Sequence, residues 1–181
     1  MLFRSVFLAV ATAAHASPPH ALVIPQVAAA IQCDGELDEM AWRAPARTGA
    51  FTGADRAIAS PYSDARFLRD DRNLYLALYA ADENIRSTDH FTVTLGHTTL
   101  QFAANGSVEP RVAGLQVAVD RDGSIDDPTN DDEEWVIEAA IPLSSLGFRS
   151  DGTIPYTITR CDLTKSGDNR CGSATGVLQR R

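Results

Sequence analysis

The chain has 181 residues, 44% of them hydrophobic, and carries a formal net charge of −8 at neutral pH. That length and apolar content supply one core of ordinary size and argue against a second domain. A surface this acidic repels phosphate backbones and anionic lipid, which sets aside nucleic acid and membranes as partners and leaves cations and neutral ligands.

Residues 1–16 read as a secretory signal. Arg4 supplies a positive start, residues 6–14 are apolar, and Ala14-His15-Ala16 has the small-x-small cleavage pattern. Cleavage there would begin the mature chain at Ser17, leave one domain over 17–181, and place the protein outside the cell or in the periplasm. The apolar stretch falls short of the ~20 residues of a membrane span, and no later segment approaches that length.

After Pro18 and Pro19, residues 36–42 predict one or two helical turns. From there alternation with a period of two dominates, the pattern of strands with one buried face. Ala65 and Phe67 alternate with Arg66 and Leu68, and Asp70-Asp71-Arg72-Asn73 then supplies turn chemistry. In residues 74–81, Leu74, Leu76 and Leu78 share one face while Tyr75 and Tyr79 share the other, so this strand is expected to be central and covered on both sides. Phe91, Val93 and Leu95 form the next strand, and Gly96-His97 turns the chain into residues 98–104, where Leu100 and Phe102 point one way. Asn105-Gly106 is a hairpin signal. Leu115, Val117 and Val119 make a further strand, as do Trp135, Ile137, Ala139 and Ile141. Residues 142–146 predict a short helix stopped by Gly147, and Ile154, Tyr156 and Ile158 complete the set. Trp42 and Trp135 both fall at core positions. The acidic residues 126–134 are expected to form an exposed connection. Short strands at hairpin spacing with one or two short helices specify an all-β fold, an antiparallel β-sandwich.

Three cysteines, Cys33, Cys161 and Cys171, would meet an oxidising compartment. Cys161 and Cys171 bracket a polar loop and are the pair expected to bond, leaving Cys33 free; the other two pairings and an intermolecular bond stay open on count alone.

No nucleophile elbow, H-E-x-x-H, phosphate-binding glycine loop or C-x-x-C occurs, so the reading is of a non-enzyme. Glycoside hydrolysis needs only two suitably spaced carboxylates, and with 24 acidic residues such a pair is uninformative. A haem-binding sandwich would need axial ligands, and Met40 is the mature chain's sole methionine. Asp120, Asp122 and Asp126 gather hard oxygen donors of the kind calcium takes, although the same residues also serve a plain Asp-Gly turn. Asp82-Glu83-Asn84 and Asp89 form a second acidic group, read as a solvated loop. The pattern establishes no cofactor; calcium is the candidate these donors would take, and nothing in the pattern specifies an oligomeric state.

Five segments in order resemble a known family. Ile31-x-x-Asp34-Gly35-Glu36-Leu37-Asp38-Glu39-x-x-Trp42 resembles the opening "I-DG-LDE-W" of family 9 carbohydrate-binding modules, and Arg69-Asp70-Asp71-Arg72-Asn73-Leu74-Tyr75-Leu76 resembles their "DDxNLYL" strand. Asp89-His90-Phe91-Thr92-Val93 stands where the family has "D-x-V-E-I", Gln101-Phe102-Ala103-Ala104-Asn105 resembles "QFxxN", and Trp135-Val136-Ile137-Glu138-Ala139-Ala140-Ile141-Pro142 is similar to "W-x-x-E-x-A-I-P". The resemblance implies a β-sandwich that binds a carbohydrate ligand without catalysis, usually attached to a glycan-degrading enzyme such as a xylanase, with calcium bound in some members. It implies that Arg86, Asp89, Gln101, Asn105, Arg160 and Asp162 lie on the ligand side. Sugar-binding members clamp the sugar between two tryptophans; here Arg86 stands in the first of those regions, the cysteine-bracketed loop in the second, and Thr92 replaces the strand glutamate. The competing reading is a calcium-stabilised sandwich that has lost sugar binding and contacts another protein.

Overall fold

Among the described residues, eleven strands and two short 3₁₀ turns follow one another along the chain. The structure, a computed structural model, describes residues 21–180; residues 1–16, expected from the sequence to be a secretory signal, lie outside them. The strands are β1 (Leu22–Val23), β2 (Ala46–Arg47), β3 (Ser63–Arg69), β4 (Asn73–Ala81), β5 (His90–Leu95), β6 (Thr98–Ala103), β7 (Val108–Glu109), β8 (Gln116–Asp122), β9 (Glu134–Pro142), β10 (Thr153–Leu163) and β11 (Asn169–Gln179). Sheet one has the order β1-β11-β10-β5-β6-β7 and sheet two the order β2-β3-β4-β9-β8. Every pairing between strands is antiparallel except β1 with β11. No helix of the described residues is long and apolar enough to cross a membrane.

The alternation read in the sequence sorts side chains as expected. Leu74, Leu76 and Leu78 face sheet one and join Phe67, Phe91, Val93, Phe102, Trp135, Ile137 and Ile158 in the core between the sheets. Tyr75 and Ala77 face the other way beside Leu68 of β3 and Ala140 of β9, and Ile31 and Trp42 pack against this face. The segment running from Val27 to Trp42 therefore blankets the outer face of sheet two. Among the described residues no segment covers sheet one in this way, and its outward positions on β5 are His90, Thr92 and Thr94, alternating with buried Phe91, Val93 and Leu95.

Four expectations are corrected. In place of a helix over 36–42 there is a 3₁₀ turn, Met40–Arg43. Just before that stretch the chain bends at Asp34-Gly35, where Glu138, buried on β9, accepts through Oε2 the N–H groups of Asp34 at 3.1 Å and Gly35 at 3.2 Å. Gly35 adopts φ +97° and lies so close to β8 that a Cβ would sit 2.7 Å from the Asp120 nitrogen, so only glycine fits. The second helix is a 3₁₀ turn, Leu143–Ser145, capped by Leu146 in an extended conformation, so Gly147 is not its stop.

The acidic connection is not wholly exposed: Asp132 is buried, and its carboxylate accepts Ile85 N–H at 2.7 Å and Ser124 N–H at 2.9 Å, cross-linking two loops. Last, Ile154, Tyr156 and Ile158 do not end the fold, because β11 follows and pairs with all of β10. Its apolar alternation is broken by Gly172 and Gly176, and Gly176 lies under the Tyr156 ring, where a Cβ would come within 2.8 Å.

Cys161 and Cys171 form a disulfide directly across the β10–β11 pair, and Cys33 is free. Burial, then the carboxylates of Glu138, Glu39 and Asp34, push the Cys33 thiol up to about 12, so almost none is thiolate at neutral pH. Alkylation of the native, unreduced protein is expected to be slow, and in denaturant to add one group per chain at Cys33. Mass spectrometry showing three labelled cysteines would refute the bond.

Candidate functional site

The inward row of β10 begins as core, with Ile154, Tyr156 and Ile158, and ends in two charged residues, Arg160 and Asp162. Both stay inside, 2% and 3% exposed. They meet Asp82, just past β4, and Asp89, just before β5, so the ends of three strands deliver one cationic and three anionic side chains to one edge of the core. Arg160 Nη2 donates to Asp82 Oδ2 at 2.9 Å and to Asp162 Oδ1 at 2.7 Å, while Nη1 donates to the Ala81 carbonyl at 2.7 Å and Ser63 Oγ at 3.1 Å. Trp135 Nε1 donates to Asp82 Oδ2 at 3.0 Å, and Asp89 Oδ2 accepts the Arg86 N–H at 2.8 Å.

One guanidinium therefore faces three buried carboxylates. Burial, reinforced by Asp82 and Asp162, pushes the Asp89 carboxyl up to about 6. Burial outweighs Arg160 at Asp162 as well, and Asp82 and Glu83 add to it, so that group also rises to about 6. Oxygen atoms of Asp82, Asp89 and Asp162 lie within 4.8 Å of one another. A pocket of about 270 Å³, lined by Asp82, Glu83, Asp132, Asp162 and Thr164 among others, adjoins them. The donors are all hard oxygens and the cluster has two unbalanced negative charges, so the residues fit calcium.

Asp120, Asp122 and Asp126, the candidate calcium ligands of the sequence, are not brought together. Asp120 and Asp122 lie two residues apart on β8, opposite Val136 and Glu134, a spacing of roughly 6.7 Å along a strand. Asp126 sits at φ +59° in the following loop, where its Oδ1 accepts the Ser87 N–H at 3.1 Å. Among the described residues the grouped carboxylates are Asp82, Asp89 and Asp162 instead. The second acidic group is not the solvated loop expected: Asp82, Asn84 and Asp89 are buried, and Asp82 turns inward to pair with Arg160 across 78 residues.

The six residues expected on the ligand side divide in two. Asp89, Arg160 and Asp162 belong to the buried cluster. Gln101 is exposed on the outer face of sheet one, opposite Thr92 of β5 and Glu109 of β7. It lines a groove of about 280 Å³ with Thr88, His90, Ser107 and Glu109. Asn105 is exposed in the adjoining β6–β7 turn, accepting the Ser107 N–H at 2.9 Å. Arg86, half-buried in the loop before Asp89, lies 2.7 Å by its Nε from the Asn84 amide oxygen in the orientation that satisfies both groups. A larger depression, about 570 Å³, lies around Val108, Val112, Leu115 and Val117 near the free edges β7 and β8, away from the charged cluster.

The two-sheet arrangement is shared by known structures. A carbohydrate-binding module from Caldicellulosiruptor kristjanssonii solved with glucose is similar over 89% of this chain and 95% of its own, with TM-score 0.63 and 12% identity. The fold is that of the family 9 carbohydrate-binding modules. A family 9 module from the same organism solved with cellotriose aligns over 88% of this chain and 93% of its own, with TM-score 0.61 and 12% identity. A protein of Bacteroides uniformis with inferred carbohydrate binding aligns over 90% of this chain and all of its own, with TM-score 0.62 and again 12% identity. No protein-family model and no curated protein matches the sequence.

Proposed function

We propose that this chain is an exported, non-catalytic carbohydrate-binding module whose ligand is a neutral glycan. What carries the reading is the family 9 fold, shared over about nine-tenths of the chain with modules solved holding glucose and cellotriose. The groove beside Gln101, His90 and Glu109 supports it, offering amide, imidazole and carboxylate groups for sugar hydroxyls. Arg86 and Asn105 flank that groove in this reading, and residues 1–16 direct export.

Calcium, when bound, would be held by Asp82, Asp89 and Asp162 and would supply charge balance to the edge of the core, not chemistry on a ligand. The buried cluster then acts on the sugar site indirectly, by fixing the loop of Arg86 whose N–H Asp89 accepts.

Thermal unfolding with calcium and with a panel of neutral oligosaccharides tests both parts. Calcium at a hundred times its dissociation constant is expected to add about 2.7 kcal/mol, and a cognate sugar a further shift on top. A calcium shift with no sugar response in any member of the panel would favour the competing reading, a cation-stabilised interaction module. No shift with calcium would show Arg160 alone to be the cluster's counter-ion.

A further inference from the structure

The open face of sheet one carries an array of hydroxyl groups fixed by strand register. Thr99 of β6 pairs with Thr94 of β5, Thr94 with Thr157 of β10, and Thr157 with Thr175 of β11, four threonines in one straight row across four strands. The next row reads Glu109, Gln101, Thr92, Thr159, Ser173 and Thr52, each directly opposite the next. Strand spacing of about 4.8 Å makes that second row roughly 24 Å long, and the two rows lie roughly 6.7 Å apart. The hydroxyls of Thr94 and Thr99 already meet at 3.0 Å.

Four features identify what such a face would hold. Glu109 at one end of the second row is the sole charged member of either row, so on a chain of net charge −8 this is a neutral window. Its groups are hydroxyls and one amide, each both donor and acceptor, matched to a hydroxylated neutral polymer. Among the described residues nothing covers it, whereas the outer face of sheet two is packed against by its own chain. The disulfide lies in the next row, with Cys161 opposite both His90 and Cys171, and so pins the β10–β11 pair where the rows cross it.

We propose that these two rows form a planar docking face for an extended neutral polysaccharide lying across the strands, in place of a clamp that stacks one sugar between aromatic rings. Both tryptophans are buried in this chain, at 3% exposure or less, so stacking is not available to them. Each hydroxyl contact exchanges with water and contributes little by itself, so affinity grows with the number of hydroxyls engaged at once and favours long or insoluble chains over short soluble ones. This inference rests on the carbohydrate-binding reading and names its substrate class.

The test is retention by insoluble cellulose and xylan, measured as depletion isotherms, for the mature protein and for the triple variant Thr94→Val, Thr157→Val, Thr159→Val. Valine keeps the β-branched shape and strand propensity, so the variant is expected to unfold at nearly the same temperature and yet lose at least about tenfold in retention. Thr157→Lys, which places a charge and a long side chain in the first row, is expected to lose as much. Equal retention of wild type and both variants would overturn the docking face while leaving carbohydrate binding intact. Binding of a soluble oligosaccharide without retention on either polymer would do the same. A protein that bound neither polymer nor oligosaccharide would overturn both readings together.

Discussion

Arg160→Met is expected to lower the unfolding free energy by about 3–5 kcal/mol at neutral pH, the cost of leaving buried charge uncompensated. Methionine replaces the stem of the arginine with comparable apolar volume, so little of that loss comes from packing. What is removed is, among the described residues, the cation paired with Asp82 and Asp162, together with the donors to the Ala81 carbonyl and Ser63. The variant thereby holds three carboxylates within 4.8 Å and no positive charge among them. Two recoveries are expected: lowering the pH to about 5 protonates part of the cluster, and calcium replaces the lost charge. Arg160→Lys should fall between, since an ammonium restores charge but cannot span both carboxylates and the carbonyl as the planar guanidinium does. Urea unfolding at pH 7.5 and pH 5 measures all of this, and a loss below about 1 kcal/mol at pH 7.5 would mean that the cluster is already neutral in the native protein.

The second large effect is a fall in stability as pH rises from about 4.5 to 7. Glu138 is fully buried, at 0% exposure, beneath the segment that covers sheet two. Burial pushes its carboxyl up to about 7 from an ordinary 4.5, against the opposing pull of the Trp42, Gly35 and Asp34 N–H donors, with Glu39 adding to the rise. A folded-state value above the unfolded one means that the native protein binds more protons throughout that window. The associated stability is therefore complete below about 4.5 and lost as pH passes 7, on the order of 3 kcal/mol for this group. In calcium-free protein Asp89 and Asp162, both raised to about 6, act in the same direction. Denaturation midpoints at half-unit steps should decline over this range in wild type and decline less in Glu138→Gln, which cannot ionise. Parallel profiles for the two proteins would show that Glu138 does not carry the slope.

What the sequence determined by itself is what depends on near neighbours. Alternation with period two told which side chain of each strand enters the core, because successive residues must point to opposite faces. It placed Leu74, Leu76 and Leu78 against Tyr75 and buried both tryptophans. Asp70-Asp71-Arg72-Asn73 and Asn105-Gly106 announced their turns, since their chemistry lies in side-chain to backbone bonds two or three residues away, such as Asp70 Oδ1 accepting the N–H groups of Arg72 and Asn73. The cysteine pair was legible for a related reason: a short polar loop brings its ends together.

Tertiary structure decided everything that hinges on which strand lies beside which. β11 escaped notice because Gly172 and Gly176 surrender apolar signal to a close approach by other parts of the chain. Asp82, Asp89 and Asp162 become one site because the end of β4, the start of β5 and the end of β10 lie together, whereas Asp120, Asp122 and Asp126, near in sequence, diverge along a strand and its loop. The Thr-x-Thr pairs of β5 and β10 are each unremarkable strand sequence. Only the register setting Thr94 opposite Thr157 and Thr92 opposite Thr159 turns them into rows, and register is a property of the packed sheets, where a slip of one residue would send every hydroxyl into the core.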